Sequence, residues 1–373
     1  MKILLLGDYS NCHRTLATGL LRLGHDVTVI SNGSFWMNCH RDIDISRKPG
    51  KTGGLRLFLR SLGPLHRHLK GYDVVALHDP QFLQLKPARL RYLFDRLKRD
   101  NGSIFLTAMS TDIGFLDMLE AEDSPLKYSE WFVYGKPARW NLANPGKWEE
   151  WHEPALVDYQ RHVFDNLDGA VSILYEYVLG MDRAFGKERS GYGGIPIDLS
   201  LYNPVTLPDN PETVKLFLGR DRTRMPMKGS DFLEIAARRV TDRYPGKAEL
   251  TIVENRPFDE FVRLLCNSHV VLDQIYSYTP ATTALMAMAY GLNTVSGGES
   301  DFYDYIGEHT LRPVINAPVE LDELTETLDR TVSAPELIAQ RGRESRLFVE
   351  KHNDCEIVAA RFLDFWTKRL NAR

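Results

Sequence analysis

Short, nearly unbroken apolar runs alternate along this chain with longer stretches of helical periodicity. KILLLG at the start is a continuous apolar run, as in a parallel strand covered on both faces. RTLATGLLRLGH then places Leu16, Leu20 and Leu23 at helical spacing and closes at Gly24, and DVTVIS reads as a second strand. Strand, helix, strand in that order is a βαβ unit. YDVVALHD at 72–79 and GSIFLTA at 102–108 predict further strands, with RLRYLFDRLKRD as the helix between them. GAVSIL at 169–174 adds another. This alternation is that of a doubly wound sheet.

The rhythm breaks over about 120–160, where Trp131, Trp140, Trp148 and Trp151 lie among Pro and Gly. An irregular insertion folded over one end of the first domain is expected, as a lid, as packing or as a cleft wall. GGIPIDLSLYNPV at 193–205 has Gly and Pro but no helical periodicity, and it holds the linker, 196–205. The alternation then restarts. VKLFLG, AELTIVEN, HVVLDQ and NTVSGG predict strands, and SDFLEIAARRVTDRY and PFDEFVRLLCNS predict helices between them. The expected class is therefore α/β, with two tandem Rossmann-like domains, 1–195 and 206–355, and a ligand cleft between them. The last helix, 356–373, is long and amphipathic and is expected to cross back to the first domain.

With 373 residues, two domains can each bury a core. The 43% hydrophobic and 26% charged residues are those of an ordinary globular protein. A net charge of −4 implies no nucleic-acid partner. The opening apolar run is too short for a signal peptide, and no window has the apolar length of a membrane span. Cys12, Cys39, Cys266 and Cys355 are scattered without metal-ligand spacing, so a reduced, cytoplasmic protein is expected.

Two stretches of the second domain carry chemistry. FLGRDRTRMPMKGSDFLEIA places Arg220, Arg222, Arg224 and Lys228 between a strand end and a helix, where open α/β sheets bind ligands. Four clustered cations repel one another unless an anion offsets them, and a diphosphate would do so. In LDQIYSYTPATTALMAMAYG, Thr282 and Thr283 lead into a smooth apolar helix. As N-caps they would open a helix start whose free N–H groups suit phosphate. The two stretches together predict a two-sided phosphate site.

These residues and the tandem layout resemble the GT-B glycosyltransferases, closest to the retaining group represented by glycosyltransferase family four. The resemblance spans nearly the whole chain but is weak outside the second domain. It implies that Arg220 and Lys228 hold the diphosphate of a nucleotide sugar, of UDP or GDP type, with Arg222 as a rival for the Arg role. MAMAYGLNTV at 286–295 matches the family's helix start, so Tyr278 and Met286 stand where the family has two glutamates. Met286 cannot bind a ribose hydroxyl, which leaves Gln274 and Glu299, with Tyr278, Thr279, Thr282 and Thr283, as the donor-side candidates. TAMSTD replaces a loop that carries a His near the transferred sugar, putting Met109 at the His position and Asp112 at an Asp. Asp112 is the candidate for contacting the sugar or acceptor. Asn11 and His13, in GDYSNCHR, and His78, in LHDP, are the acceptor-side candidates.

The implied reaction is transfer to a glycan or lipid-linked acceptor in bacterial surface-glycan synthesis. It needs no cofactor and no metal, and it proceeds with retention, the leaving phosphate taking the acceptor proton. A non-catalytic nucleotide- or glycan-binding protein is the alternative that Met109, Tyr278 and Met286 keep open, and a nucleotide-sugar epimerase is a third. DID at 42–44 has the form of a manganese motif but lies outside the strand-end loops. Residues 47–70 hold seven Lys/Arg and no acid. Leu55, Phe58, Leu59 and Leu62 share a helical face there, with Arg56 and Arg60 elsewhere. That face either packs on its own sheet or makes a peripheral contact with the inner membrane surface.

Overall fold

The computed structural model describes residues 1–34 and 37–372, which fall into two compact units. The first unit comprises Met1–Pro125, Gly146–Asp198 and Cys355–Arg373. Its strands are β1 (Lys2–Leu6), β2 (Asp26–Ser31), β3 (Ile43–Asp44), β4 (Val74–Leu77) and β5 (Ser103–Ala108). After the hairpin β6 (Phe132–Val133) and β7 (Lys136–Pro137), which belongs to the second unit, come β8 (Gly169–Ser172) and β9 (Ser190–Tyr192). The seven strands form one parallel sheet in the order β3-β2-β1-β4-β5-β8-β9.

Every residue of β4 and β5 is buried, because helices cover both faces, and this is why β4 reads as an unbroken apolar run and β5 as one broken only by Ser103 and Thr107. Leu90, Phe94 and Leu97 of the helix Pro87–Asp100 join Leu4, Val75 and Ile104 in the core. The C-terminal helix Cys355–Asn371 belongs to this unit and packs on the helix Cys12–Arg22. Its Trp366 is fully buried, 6.1 Å from the Phe105 ring of β5.

The second unit comprises Leu126–Pro145 and Leu199–Asp354. Its parallel sheet has the order β11-β10-β12-β13-β14: β10 (Val214–Gly219), β11 (Ala248–Val253), β12 (Val270–Leu272), β13 (Asn293–Ser296) and β14 (Ile315–Asn316). The central β12 and β13 are wholly buried, and the edge strand β11 mixes buried and exposed positions.

Two sequence expectations are corrected here. The insertion does not fold wholly with the first domain: residues 126–145 belong to the second unit. The Lys127 N–H donates to Tyr278 Oη at 2.8 Å, and the Tyr128 and Tyr278 rings lie 4.8 Å apart. Arg139 pairs with Asp231 and sits 4.2 Å over the Phe232 ring. These partners lie far along the chain, so no local pattern announces them. The leucine face of the helix Gly53–Leu62 is also split. Phe58 and Leu62 pack against the core, whereas Leu55 and Leu59 are 45% and 56% exposed beside the exposed Arg56 and Arg60.

Candidate functional site

In an open α/β sheet, the loops at the carboxyl ends of the strands diverge where the strand order reverses, and ligands bind in that crevice. The reversal lies between β1 and β4 in the first sheet and between β10 and β12 in the second. The loops after these four strands hold most of the candidate residues.

In the second unit the loop after β10 ends at Gly229, whose φ is +68°. A Cβ there would lie 2.3 Å from Ile275 Cγ1, so both backbone and space require glycine. The close approach lets the Ile275 N–H donate to Lys228 O at 3.0 Å, joining the loops after β10 and β12. Lys228 Nζ reaches Asp273 Oδ1 at 3.2 Å, and the Ser296 hydroxyl donates to the other Asp273 oxygen at 3.2 Å.

The loop's cations do not wait unpaired for a ligand, which corrects the argument from their mutual repulsion. Arg220 is bonded to both Glu234 and Glu254, and Arg222 meets Glu254 at 2.9 Å. Burial works against the Glu254 charge, but the bonds from Arg220 and Arg222 outweigh it and hold the carboxyl below its usual range. Glu234 and Glu254 lie fourteen and thirty-four positions from Arg220, so no motif spacing reveals them. Arg224 Nη2 lies 3.9 Å from the Met227 sulfur, and its charge acts on Asp221.

The helix Thr282–Ala289 begins one residue earlier in its capping than expected. Its N-cap is Ala281, with extended backbone and no side-chain cap. Thr282 and Thr283 are therefore the first helical residues, half-buried, and not its caps. The correction leaves first-turn N–H groups without a partner inside the helix.

Tyr278 does not line a pocket: it is 1% exposed and its hydroxyl takes the Lys127 N–H. Thr279 is likewise buried. Glu299 accepts from the Tyr128 hydroxyl and from Asn316 Nδ2, both at 2.6 Å, and Asn316 Oδ1 accepts the Gly298 N–H at 2.9 Å. Gln274 is half-buried in the loop after β12, and Met286 is 8% exposed in the helix.

The first unit repeats the glycine device. Gly7, with φ +82°, packs on His78 so closely that a Cβ would fall 1.8 Å from the imidazole Nδ1. His78 Nδ1 lies 3.3 Å from Leu6 O, and burial lowers its pKa although Asp79 works the other way. His13 is fully buried, with Nδ1 at 2.7 Å from Gly7 O and Nε2 at 2.9 Å from the Thr107 hydroxyl. Burial, aided by His78, lowers it to about 3, so it is a neutral strut and not an acceptor contact. Asn11, in the left-handed region at φ 65°, precedes the helix Cys12–Arg22 and reaches Thr15 at 3.4 Å.

Asp112 is 2% exposed and caps the helix Ile113–Glu120 by accepting the Phe115 N–H at 2.9 Å. Burial raises it to about 7. It is committed to the backbone, in place of the open contact expected of it. Asp8, 1% exposed, is also raised to about 7 by burial, against N–H bonds from His13 and Arg14.

Asp79, passed over beside His78 in the sequence, is half-buried and accepts from the Ser110 hydroxyl and the Gln81 N–H. Its signal was its place at the end of a buried strand. The DID segment is structural: Asp42 accepts the Val29 N–H, and Asp44 is held by Arg41 and Ser46. Among the described residues, no three His, Cys, Asp or Glu side chains are grouped to hold a metal ion, and no helix is long and apolar enough to cross a membrane.

Solved structures share this fold over nearly the full chain. Sucrose-phosphate synthase from Thermosynechococcus elongatus is 12% identical with a TM-score of 0.61, covering 100% of both chains. HepE of Anabaena, in complex with UDP-glucose, is 13% identical with a TM-score of 0.61, covering 98% of this chain and 99% of its own. WaaG, a glycosyltransferase involved in lipopolysaccharide biosynthesis, is 13% identical with a TM-score of 0.56, covering 98% and 100%. The fold is that of the GT-B glycosyltransferases. No protein-family profile matches the chain, and no curated protein matches it in sequence. At such identities the likeness establishes the GT-B fold, and activity has to be argued from the residues.

Proposed function

We propose that this GT-B chain is a glycosyltransferase that moves a sugar from a nucleotide-diphosphate sugar, of UDP or GDP type, to a glycan or lipid-linked acceptor. The observation that carries the reading is the joined pair of loops at the β10/β12 switch point, with Lys228 on one and Asp273 on the other. Lys228, Arg220 and the N–H groups at Thr282 and Thr283 would stabilise the charge that develops on the leaving diphosphate. The bond from the sugar C1 to the phosphate oxygen breaks, and one from C1 to the acceptor oxygen forms on the same face. The acceptor proton passes to the leaving phosphate. No metal is needed in this scheme, because fixed cations and helix N–H groups supply the positive charge. In the first unit, Asp79 and Ser110 form the polar pair offered to an acceptor hydroxyl.

Likeness to WaaG, a glycosyltransferase involved in lipopolysaccharide biosynthesis, supports a place in bacterial surface-glycan synthesis, and a cytoplasmic location is part of this proposal. The exposed Leu55 and Leu59, beside Arg56 and Arg60, support peripheral contact with an anionic bilayer. Co-sedimentation with anionic vesicles at low salt, lost on Leu55→Ser with Leu59→Ser, tests that contact. Failure of the parent protein to pellet at low salt ends it.

A second reading, a nucleotide- or glycan-binding protein without catalysis, draws on Arg220 being satisfied by two glutamates and on Met286 standing where the resemblance has a ribose-binding glutamate. A thermal-shift panel with UDP, GDP, ADP and their sugar conjugates, repeated on Lys228→Ala, tests nucleotide binding. Stabilisation by one diphosphate, lost in the variant, supports a nucleotide site. Release of that nucleotide from its sugar conjugate in the presence of an acceptor then separates transferase from binder. No shift with any nucleotide overturns both nucleotide readings.

A further inference from the structure

Glu299, half-buried in the loop after β13, has one oxygen held and one open. Its Oε1 accepts from the Tyr128 hydroxyl and from Asn316 Nδ2, both at 2.6 Å. Oε2 has no partner among the described residues, yet it is not closed off from solvent. Among the described residues Glu299 forms no ion pair, so its charge has no counter-ion at bonding distance. Helix capping does not explain the residue. Glu299 is the N-cap of Ser300–Tyr305, but its side chain caps no N–H. Its donors come from elsewhere in the chain, Tyr128 from the insertion and Asn316 from β14. Both are fixed: Asn316 Oδ1 accepts the Gly298 N–H at 2.9 Å, and the buried Tyr128 has its ring 4.8 Å from that of Tyr278. Two short bonds on one oxygen set the direction of the other.

The same strand ends carry Lys228. Lys228 Nζ and the Ser296 hydroxyl meet the two oxygens of Asp273, and Ser296 ends β13. Glu299 follows on the same loop, its N–H donating to Tyr278 O at 3.2 Å. The stretch from Ser296 to Glu299 reaches at most about 11 Å, less than the length of a nucleotide sugar. The open oxygen of a carboxylate offers two lone pairs, which suits the adjacent neutral O–H donors of a sugar diol. A phosphate at the same place would be repelled. We propose that Glu299 Oε2 accepts from sugar hydroxyls of the bound nucleotide sugar, and that Tyr128 of the insertion is the positioning residue that aims it. This rests on the donor reading given above. Ribose and the transferred sugar both carry such hydroxyls, and the choice of probes separates the two.

Calorimetric titration of the full chain tests this with three probes: UDP, the UDP analogue whose ribose lacks both hydroxyls, and UDP-glucose, each repeated in the guanosine series. In Glu299→Gln, affinity should fall about tenfold for every probe that carries the hydroxyls being read, and stay unchanged for one that lacks them. A loss for UDP that is absent for the analogue assigns ribose. A loss for UDP-glucose with UDP unchanged assigns the transferred sugar. Tyr128→Phe should show the same selectivity with a smaller loss, because Asn316 still holds Oε1. In turnover it should raise the donor KM and leave kcat unchanged, as for an interaction made equally before and during reaction. Phenylalanine keeps the ring against Tyr278, and glutamine keeps an oxygen for Tyr128 and Asn316, so both variants should unfold at the parent's temperature. Equal loss for all three probes, or loss for none, overturns the reading of hydroxyls. Selective loss in Glu299→Gln with none in Tyr128→Phe overturns the positioning role. No binding of any nucleotide by the parent chain overturns the donor reading itself, and this one with it.

Discussion

At the crevice of the first sheet a glycine at φ +82° lies against His78, and at that of the second a glycine at φ +68° lies against Ile275. The backbone device is the same, but the side chains around it are not. The first unit's strand-end loops hold Asp8, Asp79 and Asp112 and the buried, neutral His13, two of the carboxyls being pushed up to about 7 by burial. The second gathers Arg220, Arg222 and Lys228, each already holding a carboxylate. An edge whose accessible carboxylate is the half-buried Asp79 suits a neutral hydroxyl better than a diphosphate. A cationic edge with internal counter-ions accepts an anion by exchanging partners, so its affinity is a difference between two ion pairings. Strand order alone would assign both crevices to ligands, and the charges give the two a different character.

The largest effect should come from Lys228→Ala. Loss of one donor aimed at the leaving group is expected to cost about 10²–10³ in donor turnover. It also leaves Asp273, whose side chain is 1% exposed, without its cation, which should lower stability by about 1–3 kcal/mol. Adding Asp273→Asn should recover stability and not turnover, measured by urea unfolding and by nucleotide release. Recovery of both would make the pair purely structural and erase the contrast between the crevices.

Next come the glycines. Gly229→Ala is expected to cost about 1–3 kcal/mol, from a strained backbone and a Cβ 2.3 Å from Ile275 Cγ1. Gly7→Ala should cost at least as much, because its Cβ would meet the His78 ring at 1.8 Å. Urea midpoints measure both. A neutral result at either position would show that the two crevices do not share the same close approach. A smaller change, a several-fold gain in UDP affinity, is expected from Glu254→Gln. It removes the negative charge that Arg220 and Arg222 now hold. Weaker UDP binding would mean instead that Glu254 aims Arg220 at the ligand.

Much of this architecture was legible in the chain. The core strands β1, β4, β5 and β12 are buried almost throughout and apolar at most positions, whereas β13 is as buried but reads Asn-Thr-Val-Ser. The strand ends follow from them, and with them the basic loop. What was hidden depends on distant partners. The insertion's Tyr128 finds Tyr278 and Glu299 some 150 to 171 positions away. Arg220 finds Glu234 and Glu254 across a loop and a sheet. The helix cap was misread for a local reason: Thr282 and Thr283 have the chemistry of caps, but the chain turns helical at Thr282 itself, and Ala281 takes the cap position. Asp79 was overlooked because a histidine beside it drew the chemical argument, although both end the same strand.

The smallest effect should separate the carboxyls of the first crevice from one another. Asp112→Asn keeps an oxygen for the Phe115 N–H, so the cap survives. The wild-type carboxyl, raised from 3.8 to about 7, favours its protonated form in the folded state. Its contribution is intact below 3.8 and is lost as pH rises toward 7. Asparagine never ionises, so the variant should match the wild type near pH 4 and exceed it at pH 8, by on the order of 1 kcal/mol. His13, lowered from 6.5 to about 3, titrates in the opposite sense and cancels between the two proteins. Turnover should survive in Asp112→Asn and fall in Asp79→Asn, whose carboxylate is half-buried and bonded to Ser110. Unfolding curves at the two pH values and nucleotide release at pH 7 measure these effects. If Asp112→Asn loses turnover while gaining stability, the buried carboxyl is itself part of the reaction, and the neutral first crevice has to be redrawn around it.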